Sequence, residues 1–398
     1  MAIGKEERDA VLRVMDRKIL SGYQGNWSEH FYGGEEVKAL EKEWAEYFGV
    51  KHAIACNSAT SGLWMALNAI GIGYNNIYYD DINGFEFDEV IVTPYSMTCS
   101  ASIPLLFGAK PVFADIEEDY YCLDPKSVEE RITERTKTII VVDLFGQPYN
   151  KDAINEIAER KGKEYGHKIY VIEDAAQAAG AKYKGQYAGT LGDIGVFSLN
   201  VHKPIQVGEG GIVVTNNDEL AFKLRLSMNH SEAVMNDIGP GECKTIYDNK
   251  EYKETLIKCR DKFERFYKSQ NYDDLNLIIG MNLRMTELSA AIAREQLKKL
   301  NDIVSKLQDD SRHFPVKIRS ECEHSFYRYP MSYITNKSIF DLDISWKYQY
   351  QYFNFKRHYI TPIYKMPLFK SLGYEDGLCP VCEAVNEDIV LAWHKEVI

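Results

Sequence analysis

KIYVIEDAAQAAG, residues 168–180, decides the fold. Its first half is apolar nearly throughout, as a strand covered on both faces must be. It then ends on two acids, Glu173 and Asp174, followed by a run of small residues. Working outward, the same kind of run recurs on both sides: HAIAC (52–56), EVIVTP (89–94), PVFADI (111–116), TIIVVDLF (138–145), IGVFSL (194–199) and GIVVTN (211–216). Helical patterns alternate with these runs between about residues 35 and 215, the signature of βα units. The spacing therefore predicts an α/β fold, with a mostly parallel seven-stranded sheet buried between two helix layers. A smaller C-terminal α/β domain follows.

The expected division is an N-terminal helical segment (1–30), a large domain (31–285), and a linking helix with the small domain (286–398). Leu, Ala and Ile at helical spacing from Met285 to Leu307 predict one long spine helix. Two stretches break the pattern. YNNIYYDDINGFEF (74–87) reads as an exposed loop, and residues 236–275 hold a charged, helix-like insertion.

Composition sets limits on function. The chain has 398 residues, 45% hydrophobic and 27% charged, so it has material for two cores. A net charge of -12 argues against a broad nucleic-acid surface, which needs clustered Lys and Arg. There is no run of about twenty apolar residues, and the N-terminus is charged and amphipathic, so the expectation is a cytoplasmic protein without a membrane span. The eight cysteines are scattered and read as reduced thiols. Cys379 and Cys382 form a CPVC pair, but a single CxxC lacks the second ligand pair zinc needs, and no metal is expected.

Three segments carry chemistry. In NSATSGLWMALNAIG (57–71) a small-residue turn follows a strand and opens a helix. There the free N–H groups of the first turn and the hydroxyls of Ser58 and Thr60, with Ala59 between them, converge as an anion site. Taken alone, the segment reads better as an ordinary N-capped helix. Asp174, at the mouth of its strand, stands where parallel sheets place ligands, though it could equally cap the next helix. Lys203 lies in FSLNVHKPIQVGEGGIVVT (197–215), in a polar loop between two strands. Most lysines are merely solvated. Together, an anion turn, a strand-end acid and a lysine fit one cofactor, pyridoxal phosphate: a phosphate to cradle, a pyridine nitrogen best kept protonated, and an aldehyde to be held by an amine.

These segments resemble the DegT/DnrJ/EryC1/StrS family of aminotransferases, sugar aminotransferases of pyridoxal-phosphate fold type I. The resemblance runs from about residue 30 to 370 through YGGEEVKALEKEWAEYFGVKHAIACNSATSGL, TPYSMTCSASIPLLFGAKPVFADIE, DLFGQP, VIEDAAQAAGA, SLNVHKPIQVGEGG and GMNLRMTELSAAIAREQL. It implies that Lys203 is the Schiff-base lysine, Asp174 the partner of the pyridine nitrogen and Gln177 the group beside the ring hydroxyl. Ala59, Thr60 and Ser198 would hold the phosphate, and Met97 would stack on the ring. The family borrows groups from a neighbouring subunit, which implies a homodimer with shared sites. Asn282 and Arg284 of GMNLRM, expected on a helix far from the other motifs, match that segment. The usual S-G-T turn is here Ser58-Ala59-Thr60.

The implied reaction moves an amino group from glutamate to a keto sugar, either a nucleotide-linked keto-deoxyhexose or an 8-keto octulosonate of lipopolysaccharide synthesis. The alternatives are a dehydratase of the same family, in which histidine replaces the lysine, and a non-catalytic regulatory homologue. His202 beside an intact Lys203 is not that replacement.

Overall fold

Continuous apolar runs become strands of a sheet whose two faces are covered by helices, and all seven runs do so here. The computed structural model describes residues 3–25, 28–73, 87–231, 278–335 and 353–394. Strands β1 (His52–Cys56), β2 (Glu89–Val92), β3 (Lys110–Phe113), β4 (Thr136–Val142) and β5 (Tyr170–Asp174) precede a short hairpin, β6 (Lys182–Tyr183) and β7 (Gln186–Tyr187). Then come β8 (Ile194–Ser198) and β9 (Gly211–Thr215). The seven long strands form one sheet in the order β1-β9-β8-β5-β4-β2-β3. Pairs from β3 to β8 are parallel, while β9 runs antiparallel to both β8 and β1.

Alternate side chains of each strand enter opposite layers, as the pleat requires. Ile140, Val142, Ile54 and Val213 face a layer containing α3 (Ala59–Ala69), α4 (Cys99–Leu106) and α7 (Asp218–Met228). On the other face, Ile139 and Val141 pack under α5 (Pro125–Arg131) and α6 (Lys151–Tyr165). Ala53, Ala55 and Ile212 do the same under α2 (Glu35–Phe48), where Trp44 is fully buried. The result is the three-layer arrangement read from the sequence.

The expected spine is two helices, α8 (Glu287–Lys298) and α9 (Leu300–Ser311), broken at Lys299. Helix α1 (Lys5–Arg17) docks Ala10 and Val14 against Ala291 of α8 and buries Glu7, which accepts from Gln296 Nε2 and Lys299 Nζ, each at 2.6 Å. Glu287, at the start of α8, accepts from the backbone N–H groups of Glu36 (2.9 Å) and Val37 (3.3 Å), satisfying the first turn of α2.

After α9, β10 (Cys322–Glu323) joins the β6–β7 hairpin, and β11 (Tyr329–Ser332), β12 (Phe353–Arg357) and β13 (Ile389–His394) form a separate sheet in the order β11-β13-β12. Helices α10 (Pro367–Ser371) and α11 (Pro380–Asp388) complete this region, with the Cys379 and Cys382 thiols buried at the start of α11. The loop expected at 74–87, apart from Phe87, and the insertion at 236–275 lie outside the described residues. No described helix is long and apolar enough to cross a membrane.

Candidate active site

Strand register builds the site. Gly211, the first residue of β9, pairs with both Cys56 at the end of β1 and Ser198 at the end of β8, while Asp174 pairs with Val196. Because β9 is antiparallel to its neighbours, its start lies at their carboxyl ends. The Ser58 turn, Ser198 and Asp174 therefore share one edge of the sheet, where ligands of such folds bind.

The turn is shaped for an anion. Ser58 caps α3, its Oγ accepting from Ser61 N at 3.1 Å. Helical geometry leaves the N–H groups of Ala59 and Thr60 without intrahelical partners. Gly211 approaches this backbone so closely that an added Cβ would stand 2.5 Å from Ser58 C and 2.7 Å from Ala59 N. Ser198 is nearly buried beside it, its Oγ accepting from Asn200 N at 3.3 Å.

Asp174 is buried, and its Oδ1 accepts from Ala176 N at 3.1 Å. Burial pushes its carboxyl above the usual range, and that N–H together with the Lys203 charge pulls it back. Lys203 itself lies with Nζ 4.6 Å from the centroid of the Tyr327 ring. Cys99, at the start of α4, ties these groups together. Burial raises its thiol to about 11, the Asp174 charge adds to that, and Thr60 and the Lys203 charge pull it back. Gln177 has both ends of its amide engaged: Oε1 accepts from Phe145 N at 2.9 Å, and Nε2 donates to Tyr359 Oη at 3.1 Å. Phe145 has a φ of 62°, a left-handed conformation unusual for an aromatic residue, at the DLFG corner that presents this N–H.

The structure thus brings Ser58, Ala59, Thr60, Asp174, Gln177, Ser198 and Lys203 to one edge. Met97 sits just before α4 and is 55% exposed. GMNLRM is not helical and not remote. Asn282 bridges to Asn229, Arg284 bridges to Cys56, and Leu283 O accepts from Asn57 N at 2.8 Å, so the segment is an extended strap beside the anion turn. Asn282 is exposed there and accepts from Arg284 Nε at 2.9 Å. Sequence reasoning missed Cys99, Phe145, Tyr327, Arg328 and Tyr359. Only DLFG carried a local signal, since a strand end running into a glycine marks a turn.

These residues suit pyridoxal phosphate. The N-terminus of α3 with the close approach of Gly211 suits a phosphate. Asp174 is a buried carboxylate with no direct ion pair among the described residues, and suits a cationic ring nitrogen. An amine stands between them in Lys203. Fold and site together define a pyridoxal-phosphate-dependent transferase of fold type I. Residues 16–396 match the DegT/DnrJ/EryC1/StrS aminotransferase family, and the chain belongs to it, an enzyme of the pyridoxal-phosphate-dependent aminotransferase class. The chain is similar to GDP-perosamine synthase of Caulobacter vibrioides, 36% identical over 296 residues, 74% of this chain but 62% of that protein's length. It is also similar to the UDP-2-acetamido-2-deoxy-3-oxo-D-glucuronate aminotransferase of Pseudomonas aeruginosa, 40% identical over 200 residues, half of each chain. An X-ray structure of an aminotransferase from Psychrobacter cryohalolentis superposes with a TM-score of 0.71 at 26% identity, covering 98% of this chain and 91% of that one.

Proposed function

We propose that this chain transfers an amino group from glutamate to a nucleotide-linked keto sugar, making an amino sugar in the cytoplasm. The observation that carries the reading is the meeting of Thr60, Cys99, Asp174 and Lys203 at one sheet edge. The names of the two relatives, which specify GDP- and UDP-linked sugars, support the acceptor class.

In this reading Lys203 would hold the cofactor through its aldehyde, and its amine, when free, would be the base that moves the α-proton of the donor. Asp174 would pair with the ring nitrogen, and Ala59, Thr60 and Ser198 would hold the phosphate. Gln177, fixed by Phe145 and Tyr359, would lie beside the ring, and Met97 would stack on it. Bound pyridoxal phosphate supplies the electron sink that makes the α-proton acidic. The protein's part is to position that proton against Nζ and to keep Asp174 charged. Asn282 would serve the site from across a homodimer interface.

The test is a two-stage experiment. L-glutamate added to the loaded protein should bleach its visible band, and a panel of nucleotide-linked keto sugars should then be screened for the one that restores it, with the amino sugar identified by mass. If glutamate bleaches the band and no nucleotide-linked keto sugar brings it back, or 8-keto octulosonate alone does, the acceptor class is wrong.

A further inference from the structure

Arg328 stands in the cleft and has no role in the chemistry described above. Its backbone is fixed: Arg328 N donates to Phe145 O at 3.1 Å, and Ser325 N donates to Gly146 O at 3.1 Å, pinning the approach to β11 on the DLFG corner beside Gln177. Its guanidinium lies between two rings, 4.2 Å from the centroid of Tyr327 and 4.9 Å from that of Trp393. Nη1 donates to Tyr327 O at 3.1 Å, and Nη2 reaches Tyr327 Oη at 3.4 Å.

Its electrostatic setting is unlike that of Arg225, Arg294 and Arg319. Arg225 pairs with Glu41, Arg294 with Glu36 and Glu43, and Arg319 with Glu117. Among the described residues the groups that act on Arg328 are the Tyr327 and Tyr359 phenols, and burial disfavours its charge. A desolvated cation without an anion is costly, so such a group is retained where an anion arrives from outside.

We infer that Arg328 binds a carboxylate of the amino donor. Tyr327 supplies the geometry, since the Lys203 amine and the Arg328 guanidinium pack against the same ring, at 4.6 and 4.2 Å from its centroid. They are no farther apart than those two lengths laid end to end. An amino acid whose nitrogen arrives at Lys203 carries a carboxylate on the adjacent carbon, and a planar guanidinium fork matches it with two hydrogen bonds. A nucleotide sugar keeps its phosphates on the far side of the sugar ring from the carbonyl. The flanking aromatic rings exclude water and strengthen the pairing.

This inference rests on the aminotransferase reading, and the experiment separates the two. Glutarate, a dicarboxylate without an amine, is titrated calorimetrically into cofactor-loaded wild type, Arg328→Met and Arg328→Lys, and the glutamate and keto-sugar half-reactions are followed by absorbance. Losing a charge-assisted bidentate contact should weaken glutarate and raise the glutamate saturation constant about ten- to a hundredfold in Arg328→Met. Arg328→Lys, which keeps the charge and the stem, should show a smaller rise. If Arg328→Met fails to fold, the lysine variant alone decides. Keto-sugar saturation and cofactor affinity should be unchanged. Unaltered glutarate and glutamate constants, or a defect confined to the keto sugar, overturn the assignment to Arg328 alone. A wild type that glutamate does not bleach overturns the aminotransferase reading with it.

Discussion

Behind the site, Asp143 and Glu173 are fully buried side by side, and their shared proton makes a quantitative prediction. Glu173 Oε1 accepts from Gly189 N at 2.7 Å, and its Oε2 accepts from Leu191 N at 2.7 Å and Gly192 N at 3.2 Å. Asp143 Oδ1 accepts from Tyr149 N at 2.9 Å, and its Oδ2 is buried without an N–H partner, its carboxyl raised by burial and by the neighbouring Glu173. Burial raises both acids. Three N–H donors favour charge on Glu173 against one on Asp143, so Asp143 carries the proton and donates it to Glu173. Asp143→Asn puts an amide N–H where that O–H was and still accepts from Tyr149, so it should cost less than about 1 kcal/mol. Glu173→Gln turns an NH2 group towards donors that need an acceptor. Stranding at least one buried N–H at about 1–3 kcal/mol, and weakening the charged contacts, should total about 3 kcal/mol, or a few degrees in melting temperature. The sign with pH follows from the raised value. Asp143 stabilises the fold fully below its unfolded pKa of about 4, and that contribution is lost as pH rises through the folded value. The assay is thermal unfolding of both variants and wild type from about pH 4 upward into the alkaline range. Wild type should lose stability relative to Asp143→Asn as pH rises. Equal damage from the two substitutions, or a pH-independent gap between wild type and Asp143→Asn, would refute the shared proton.

Lys203→Ala should abolish transamination and the visible band while inorganic phosphate still binds at the α3 turn, because the anion site and the amine are on separate elements; retained turnover would remove Lys203 from the mechanism. Asp174→Asn keeps the Ala176 contact but loses the charge, so single-turnover rates should fall by orders of magnitude with modest loss of cofactor, and unchanged rates would count against its pairing with the ring. Asn282→Phe and Lys203→Ala, each inactive or weak alone, should complement when unfolded and refolded together, with about a quarter of all sites regaining activity through the two-fold. No recovery, while wild type survives the same treatment, would leave Asn282 serving the turn of its own chain, beside which the strap runs.

The sequence by itself determined the strands, because being covered on both faces leaves a direct mark in apolar continuity, and it placed Asp174, Ser58 and Lys203 at strand ends and turns because local punctuation does the same. It did not show that the stretch from Met285 to Leu307 breaks at Lys299, nor that Lys299 meets Glu7 of another helix, nearly three hundred residues away in the chain. Nor could it show that GMNLRM lies extended beside Cys56, because the partners that hold it, Asn57 and Asn229, are supplied by remote segments. Tyr327, Arg328 and Tyr359 carried no signal at all. A residue beside β11 reaches the Lys203 cleft only because backbone bonds to Phe145 and Gly146 hold it there. Periodicity records which face of an element is buried, and only tertiary packing decides which distant side chains meet.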